Sequence, residues 1–183
     1  MVLKHQGFAA TLVSTLLISA CGSGGSTSTA DSINATDARK AAGPSVTNAC
    51  ALIDKSVVAS VLGSGIKSAE LSAVKDGAGG TEQFSQCAYT FESGKMIVVS
   101  VGQSPDNPGV EEIQKRAVSQ TAIVSNTPPV KVDGVGKAAL WSPDMHMLQV
   151  YLEGGRFYYI NMASAGGDEA QATAVTLAHK LGA

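Results

Sequence analysis

Two segments of this 183-residue chain look alike, and they constrain the fold more than anything else in it. Tyr89-Thr90-Phe91-Glu92-Ser93-Gly94-Lys95-Met96-Ile97-Val98-Val99 aligns with Val150-Tyr151-Leu152-Glu153-Gly154-Gly155-Arg156-Phe157-Tyr158-Tyr159-Ile160, at an offset of 61 positions. Each reads as a strand, a two-residue turn (Ser93-Gly94 or Gly154-Gly155) and a second strand. Glycine turns of this kind suit hairpins that need positive φ. An acid precedes and a base follows each turn, so Glu92–Lys95 and Glu153–Arg156 are expected to face each other and support the register. Consecutive hairpins imply an antiparallel sheet, hence an α+β class rather than a wound parallel sheet. The repeat points to two similar α-plus-hairpin halves, with common hairpin chemistry as the alternative.

The helical patterns fit that class. Asp54 is placed as an N-cap, Val57, Val58, Val61 and Leu62 follow on one face, and Gly63 stands where a helix ends. A second helix is expected from about Val110 to Ala122. Its acidic start, Glu111-Glu112, complements the helix dipole, and its apolar face of Val110, Ile113 and Ala117 is thin. A third runs from Gly167-Asp168 to Gly182. Short strands are expected near Ile66–Val74, Val130–Val132 and Lys137–Trp141.

The N-terminus carries an address. Lys4 and His5 precede an apolar stretch from Phe8 to about Ile18, which closes in Ile18-Ser19-Ala20-Cys21. About 11 residues suit a signal peptide, whereas a membrane span needs ~20. The pattern is that of a bacterial lipoprotein signal: cleavage before Cys21 and a diacylglycerol, with palmitate-type chains, on its thiol. The expected organisation is a signal peptide over 1–20, lipidated Cys21 with a tether over 21–47, and one globular domain over 48–183. The tether reading follows from 22–47, which hold no aromatic residue and only Ile33 and Val46 as larger aliphatics. Gly22 rather than Asp after Cys21 points to the outer membrane, facing the periplasm, in a diderm host. In a monoderm or actinobacterium the anchor would sit on the outer face of the cytoplasmic membrane.

If lipidation uses Cys21, Cys50 and Cys87 remain as one pair. In an oxidising compartment a Cys50–Cys87 disulfide is expected. Two buried thiols or a metal pair are the competing readings, and the lack of a neighbouring His argues against zinc.

Charge and chemistry narrow the function. The full chain has 13 basic and 15 acidic side chains; removing Lys4 with the signal leaves 12 and 15, a formal charge of −3. No basic run suits nucleic acid. Only His146 and His179 lie outside the signal segment, and they do not build a Ser-His-Asp set. Gly134-Val135-Gly136-Lys137-Ala138-Ala139 fits a dinucleotide fingerprint formally, but Leu140-Trp141 then reads as strand and Pro143 follows, so a glycine turn between strands is the better account. Met145-His146-Met147 carries soft ligands of the kind Cu(I) takes, although a regular strand would turn His146 away from the two thioethers.

Strand alternation assigns faces. With two-residue turns, Cys87, Tyr89, Phe91, Met96 and Val98 share the helix-covered side with Leu148, Val150, Leu152, Phe157 and Tyr159. The other side then carries Ile97, Val99, Val101, Met147, Tyr151, Tyr158, Ile160 and Met162. Such an apolar face is either covered by a helix or by residues 64–86, or it binds something. In the second case Met147, Tyr151 and Tyr158 are the expected centre of a partner site.

Cys50-Ala51-Leu52-Ile53-Asp54, closing at Leu62-Gly63, together with Cys87-Ala88-Tyr89 and Val132-Asp133-Gly134-Val135-Gly136-Lys137-Ala138-Ala139, resembles the small lipoproteins with a domain of unknown function that are frequent in actinobacteria. Lys137 stands where that family usually has Asp. The resemblance implies the disulfide and a sheet-and-helix fold of PsbP-like type, with helices mainly on one face. It brings no catalytic residues and no cofactor. The expected function is therefore a lipid-anchored, non-enzymatic binding or scaffold module acting on an envelope protein. An inhibitor or immunity protein against a periplasmic hydrolase is the second expectation, and a Cu(I)-binding protein the third.

Overall fold

The turn of each hairpin holds one residue more than its sequence suggests, and that residue sets the faces of the whole sheet. In the computed structural model, which describes residues 46–183 apart from 166, Phe91 N–H donates to Lys95 O (2.8 Å) and Gly94 N–H to Phe91 O (2.9 Å). Three residues, Glu92 to Gly94, therefore lie between the closing pair. Gly94 takes the left-handed conformation (φ 79°) that a glycine bulge requires. Thr90 pairs with Met96 and Tyr89 with Ile97. The second hairpin repeats this: Leu152 N–H donates to Arg156 O (2.8 Å), and Val150 pairs with Tyr158.

One inserted residue inverts the parity of each returning strand. The expected faces are thus corrected. Ile97, Val99, Val101, Tyr158 and Ile160 join Cys87, Tyr89, Leu148 and Val150. Met96, Val98, Phe157 and Tyr159 go to the other side with Met147 and Tyr151. The expected cross-turn pairing also changes, since Glu153 lies 3.6 Å from Lys137 and no ion pair with Arg156 forms.

The elements in chain order are α1 (Ala49–Leu52), α2 (Lys55–Leu62), β1 (Ile66–Asp76), β2 (Gln83–Phe91), β3 (Met96–Gln103), α3 (Val110–Thr121), β4 (Val130–Val132), β5 (Ala138–Ser142), β6 (Met147–Tyr151), β7 (Arg156–Asn161) and α4 (Ala170–Lys180). The seven strands form one antiparallel sheet in the order β1-β2-β3-β7-β6-β5-β4. This is the α+β class, an antiparallel sheet built from hairpins with helices packed on it. The glycine-rich stretch from Gly134 to Gly136 lies between β4 and β5, as a turn.

The two look-alike segments meet at the centre of the sheet. Val99 pairs with Ile160, its own counterpart at the 61-residue offset. The β2–β3 and β6–β7 hairpins are therefore related by a local two-fold axis through that pair. The likeness extends to the strands and stops at the helices. α1, α2 and α4 pack on one face, where Ala49, Ile53, Val58, Ala174 and Leu177 bury against Cys87, Tyr89, Val99, Leu148 and Ile160. α3 packs on the other, where Ile113 and Ala117 meet Ala138 and Leu140.

Local chemistry explains these elements. Asp54 caps α2 by accepting from Ser56 N–H (2.7 Å), and Gly63 ends it with its N–H on Ala59 O (2.9 Å). Alternate residues of β2 clasp the α1 segment. Ser85 Oγ accepts from Ala49 N–H (2.9 Å) and donates to Val46 O (2.7 Å). Cys87 is disulfide-bonded to Cys50, and Tyr89 O–H donates to Ile53 O (2.9 Å). The expected disulfide is present, and the period of two in β2 aims all three groups at one short helix. Burial raises the Tyr89 pKa to about 12, with the Asp54 charge adding to it. Among the described residues, no helix is long and apolar enough to cross a membrane. The expected signal peptide, Cys21 and almost all of the tether lie outside the described residues.

Candidate functional site

The side covered by α1, α2 and α4 holds most of the buried core, and its edge carries a shallow recess at Leu62, Phe91 and Lys95, whereas the aromatic side chains left partly buried lie on the α3 side. α3 is one 12-residue helix with a narrow apolar stripe, Ile113, Ala117 and Thr121 at spacings of four. It covers β5 and the neighbouring Tyr151 of β6. Along β7, β3 and β2 the same face holds Tyr159, Asn161, Val98, Ala88 and Phe84, all only partly buried.

A cleft follows the flank of α3. Toward the N-terminal end of the helix it encloses about 540 Å³, part of it open solvent, between the 104–108 loop, Arg116, Tyr151 and Phe157. Toward the C-terminal end it continues over about 320 Å³ past Thr121, Met145, Met147 and Gln149. Gln120 and Tyr159 line both parts.

The aromatic wall comes from β7 and β6. Phe157 and Tyr159 stack at 4.8 Å between ring centres, and Tyr151 meets Tyr159 edge-on at 6.2 Å. The Phe157 ring occupies the space that a Cβ at Gly102 would fill, so this packing requires glycine in β3. Tyr151 O–H donates to Gln149 Oε1 (3.0 Å). Burial pushes the Tyr159 phenol well above its ordinary pKa, and the neighbouring Tyr151 adds to the rise. Burial raises Tyr151 too, while its hydrogen bond with Tyr159 acts in the opposite sense. Both hydroxyls stay protonated at neutral pH, as donors and acceptors without charge.

The upper lip is held by ion pairs. Arg116 Nη1 lies 2.8 Å from Asp106 and Nε 2.9 Å from Glu112, which ties the 104–108 loop to α3. The Ser104 hydroxyl and then Arg116 hold the Asp106 carboxyl below its usual range, and the Arg116 hydrogen bond does the same for Glu112. These side chains are about half exposed, so the pairs add little stability. Their effect is to shape and neutralise the lip.

The expected site residues separate. Met147 and Tyr151 lie on this face, and Met147 lines the cleft beside Tyr159. Tyr158 does not: it is 1% exposed on the opposite face, with its hydroxyl 3.4 Å from Leu181 O. It is corrected to a core residue by the glycine bulge described above. The Met145-His146-Met147 constellation is also divided. Both thioethers line the cleft, while the His146 ring packs edge-on against Trp141 (6.3 Å), a residue of the helix-side core. A left-handed turn at His146 (φ 46°) accompanies this arrangement. Among the described residues no group of three or more His, Cys, Asp and Glu is placed to hold a metal. His179 Nδ1 lies 2.9 Å from Ala183 O.

Sequence reasoning missed Phe157, Tyr159, Thr121 and Gln149. The first two were lost to parity. The other two left a signal: Thr121 continues the i, i+4 apolar stripe of α3 with a hydroxyl, and Gln149 interrupts the apolar run Met147–Tyr151. The arrangement can bind an uncharged, partly apolar group against aromatic and thioether side chains. No family model matches this chain, and comparison with characterised proteins and with solved structures finds no match either.

Proposed function

We propose that this protein is a lipid-anchored binding module of the cell envelope that engages its ligand or partner through the α3 face of the sheet. The observation that carries the reading is the unequal covering of the two faces. Three helices bury one side, while a single narrow helix leaves Met147, Tyr151 and Tyr159 only partly buried along a cleft on the other. Partly buried aromatic side chains with polar tips suit recognition surfaces. The Cys50–Cys87 disulfide agrees with an oxidising compartment, as the lipoprotein reading of Cys21 requires. Anchoring is then through acyl chains at Cys21 and not through a span.

Two measurements test this. Cys21→Ala should leave the protein unprocessed or in the soluble fraction; unchanged membrane partition would remove the anchor. Capture of envelope components by the purified mature protein should fall with Tyr151→Ala and Met147→Glu. It should be unaffected by Leu71→Ser on the distant edge strand β1. Capture that ignores the first two substitutions would move the site away from this face.

A further inference from the structure

The C-terminal end of the cleft contains hydrogen-bonding groups that the protein itself leaves unused. Thr121 is 2% exposed, and its Oγ1 has no partner. A helical threonine ordinarily bonds back to the carbonyl four residues earlier. Thr176 does so here, on Ala172 O at 2.9 Å, and Thr121 does not. Gln149 lines the same space, where its carbonyl oxygen accepts from the Tyr151 hydroxyl and its amide group has N–H donors to offer. Ser142, paired with Met147 in the sheet, is a second buried hydroxyl without a partner but is not part of the cleft lining. Native structures satisfy nearly all buried polar groups, so the unpartnered Thr121 hydroxyl in the cleft wall marks a place where something else binds.

The chemistry of the gap defines the occupant. The Thr121 hydroxyl can donate or accept and the Gln149 amide N–H groups donate, so together they can hold an uncharged oxygen acceptor. No carboxylate, Lys, Arg or His lines this part of the cleft, so a charged head finds no partner there. Met145, Met147, Tyr159, Val124 and the polar Gln120 supply the remaining walls. Outside its mouth, the loop after α3 exposes Ile123 (83%) and Val124 (66%), and Val118 on the last turn of the helix is also exposed. An aliphatic lip beyond a donor-lined apolar seat fits a chain ending in a carbonyl.

We propose that this end of the cleft binds a fatty acyl ester, with the ester carbonyl on Thr121 and Gln149 and the chain passing over Met147, Tyr159 and Val124 to the Ile123 lip. The space, about 320 Å³ with its open mouth, takes the ester and the first part of a chain. The rest lies along the exposed aliphatic side chains. This rests on the α3 face being the binding face. The ester can belong to a lipid of the envelope or to the protein's own acylated Cys21.

The test uses mature protein with Cys21→Ser, which cannot be acylated, titrated by calorimetry with 1-monolauroylglycerol below its aggregation concentration. Saturable one-to-one binding is expected. Thr121→Val keeps the shape and removes the donor, and should weaken binding about tenfold, which is ~1.4 kcal/mol. The same substitution should leave thermal unfolding of the free protein unchanged or raise it, because it removes an unpaired buried hydroxyl. Val124→Asp, at the lip and outside the core, should weaken binding as well. Absence of saturable binding, or equal binding by both variants, overturns the proposal. Binding of N-acetyl-Leu-Leu-amide in place of the ester overturns the acyl class and leaves the binding face standing if Tyr151→Ala abolishes it. Failure of both probes, together with envelope capture insensitive to Tyr151→Ala, removes the face itself. The lipidated protein separates the two sources: it binds added ester if the natural ligand is an envelope lipid, and refuses it if the Cys21 chain already fills the cleft.

Discussion

Tyr151→Ala and Tyr158→Ala should differ sharply in stability, and the difference tests the sheet register that defines the site. Tyr158 is 1% exposed within the helix-side core. Truncating a buried aromatic side chain to alanine costs about 3–5 kcal/mol, through lost transfer energy and the cavity left behind. The hydroxyl contributes little of this, since it lies 3.4 Å from Leu181 O. A domain of this size is stable by roughly 5–15 kcal/mol, so the substitution should remove about a fifth or more of the total. Tyr151 is only partly buried. It gives up an edge-on contact with Tyr159 and a hydrogen bond to Gln149, together about 1–3 kcal/mol. Urea unfolding of the two variants beside wild type, with unchanged slopes, measures both values. Two-residue turns would place Tyr151 and Tyr158 on one face. Equal costs, or a larger cost at Tyr151, would refute the bulged turns and the face assignment built on them.

Two further predictions concern the clasp between β2 and the α1 segment. The double substitution Cys50→Ala/Cys87→Ala opens a loop whose ends are 37 residues apart and should cost about 4 kcal/mol in the chain-entropy model; urea unfolding checks it, and a cost below ~1 kcal/mol would show that the clasp is redundant. Tyr89→Phe leaves the Ile53 carbonyl unpaired and should cost about 1–3 kcal/mol at neutral pH. Tyr89 also predicts an alkaline limit. Its folded pKa of about 12 exceeds the ordinary value of 10.0, so its contribution is complete below pH 10 and is lost as pH rises toward 12, by about 2–3 kcal/mol. Unfolding at pH 7 and pH 11.5 should therefore show a smaller drop for Tyr89→Phe than for wild type, and an equal drop would remove Tyr89 as the cause.

Much of the fold was legible because it depends on local signals. The strands of the two hairpins, Asp54 and Gly63 at the ends of α2, and the acidic start of α3 all follow from residue type and spacing. The disulfide followed from counting. The faces of the returning strands were not legible, because Ser93-Gly94 is compatible with two turn lengths and the choice between them is a hydrogen bond, Phe91 N–H to Lys95 O. A single residue then decided whether Tyr158 was core or surface. The site was half legible for the same reason: Met147 and Tyr151 precede the second bulge and kept their face, whereas Phe157, Tyr158 and Tyr159 follow it and exchanged theirs.

The cleft follows from a symmetry that the helices break. Two hairpins joined through Val99 and Ile160 make a sheet whose halves are equivalent, and a two-fold perpendicular to the sheet would place the helix before each half on the same face. That face already carries α1, α2 and α4. α1 is bonded to it through Cys50, α2 follows, and α4 fills the remaining side with the small residues Ala170, Ala174 and Ala178, which allow close approach. α3 is left to the opposite face, and its sequence matches that position. A stripe of Ile113, Ala117 and Thr121 is too narrow to cover a sheet, and its polar sides, with Glu112, Lys115 and Arg116, suit water. Such a helix can cover one strand pair and must leave its flank open. The thin apolar face of α3 and the partly buried side chains of β7 are therefore two consequences of one packing solution, and the cleft lies where they meet.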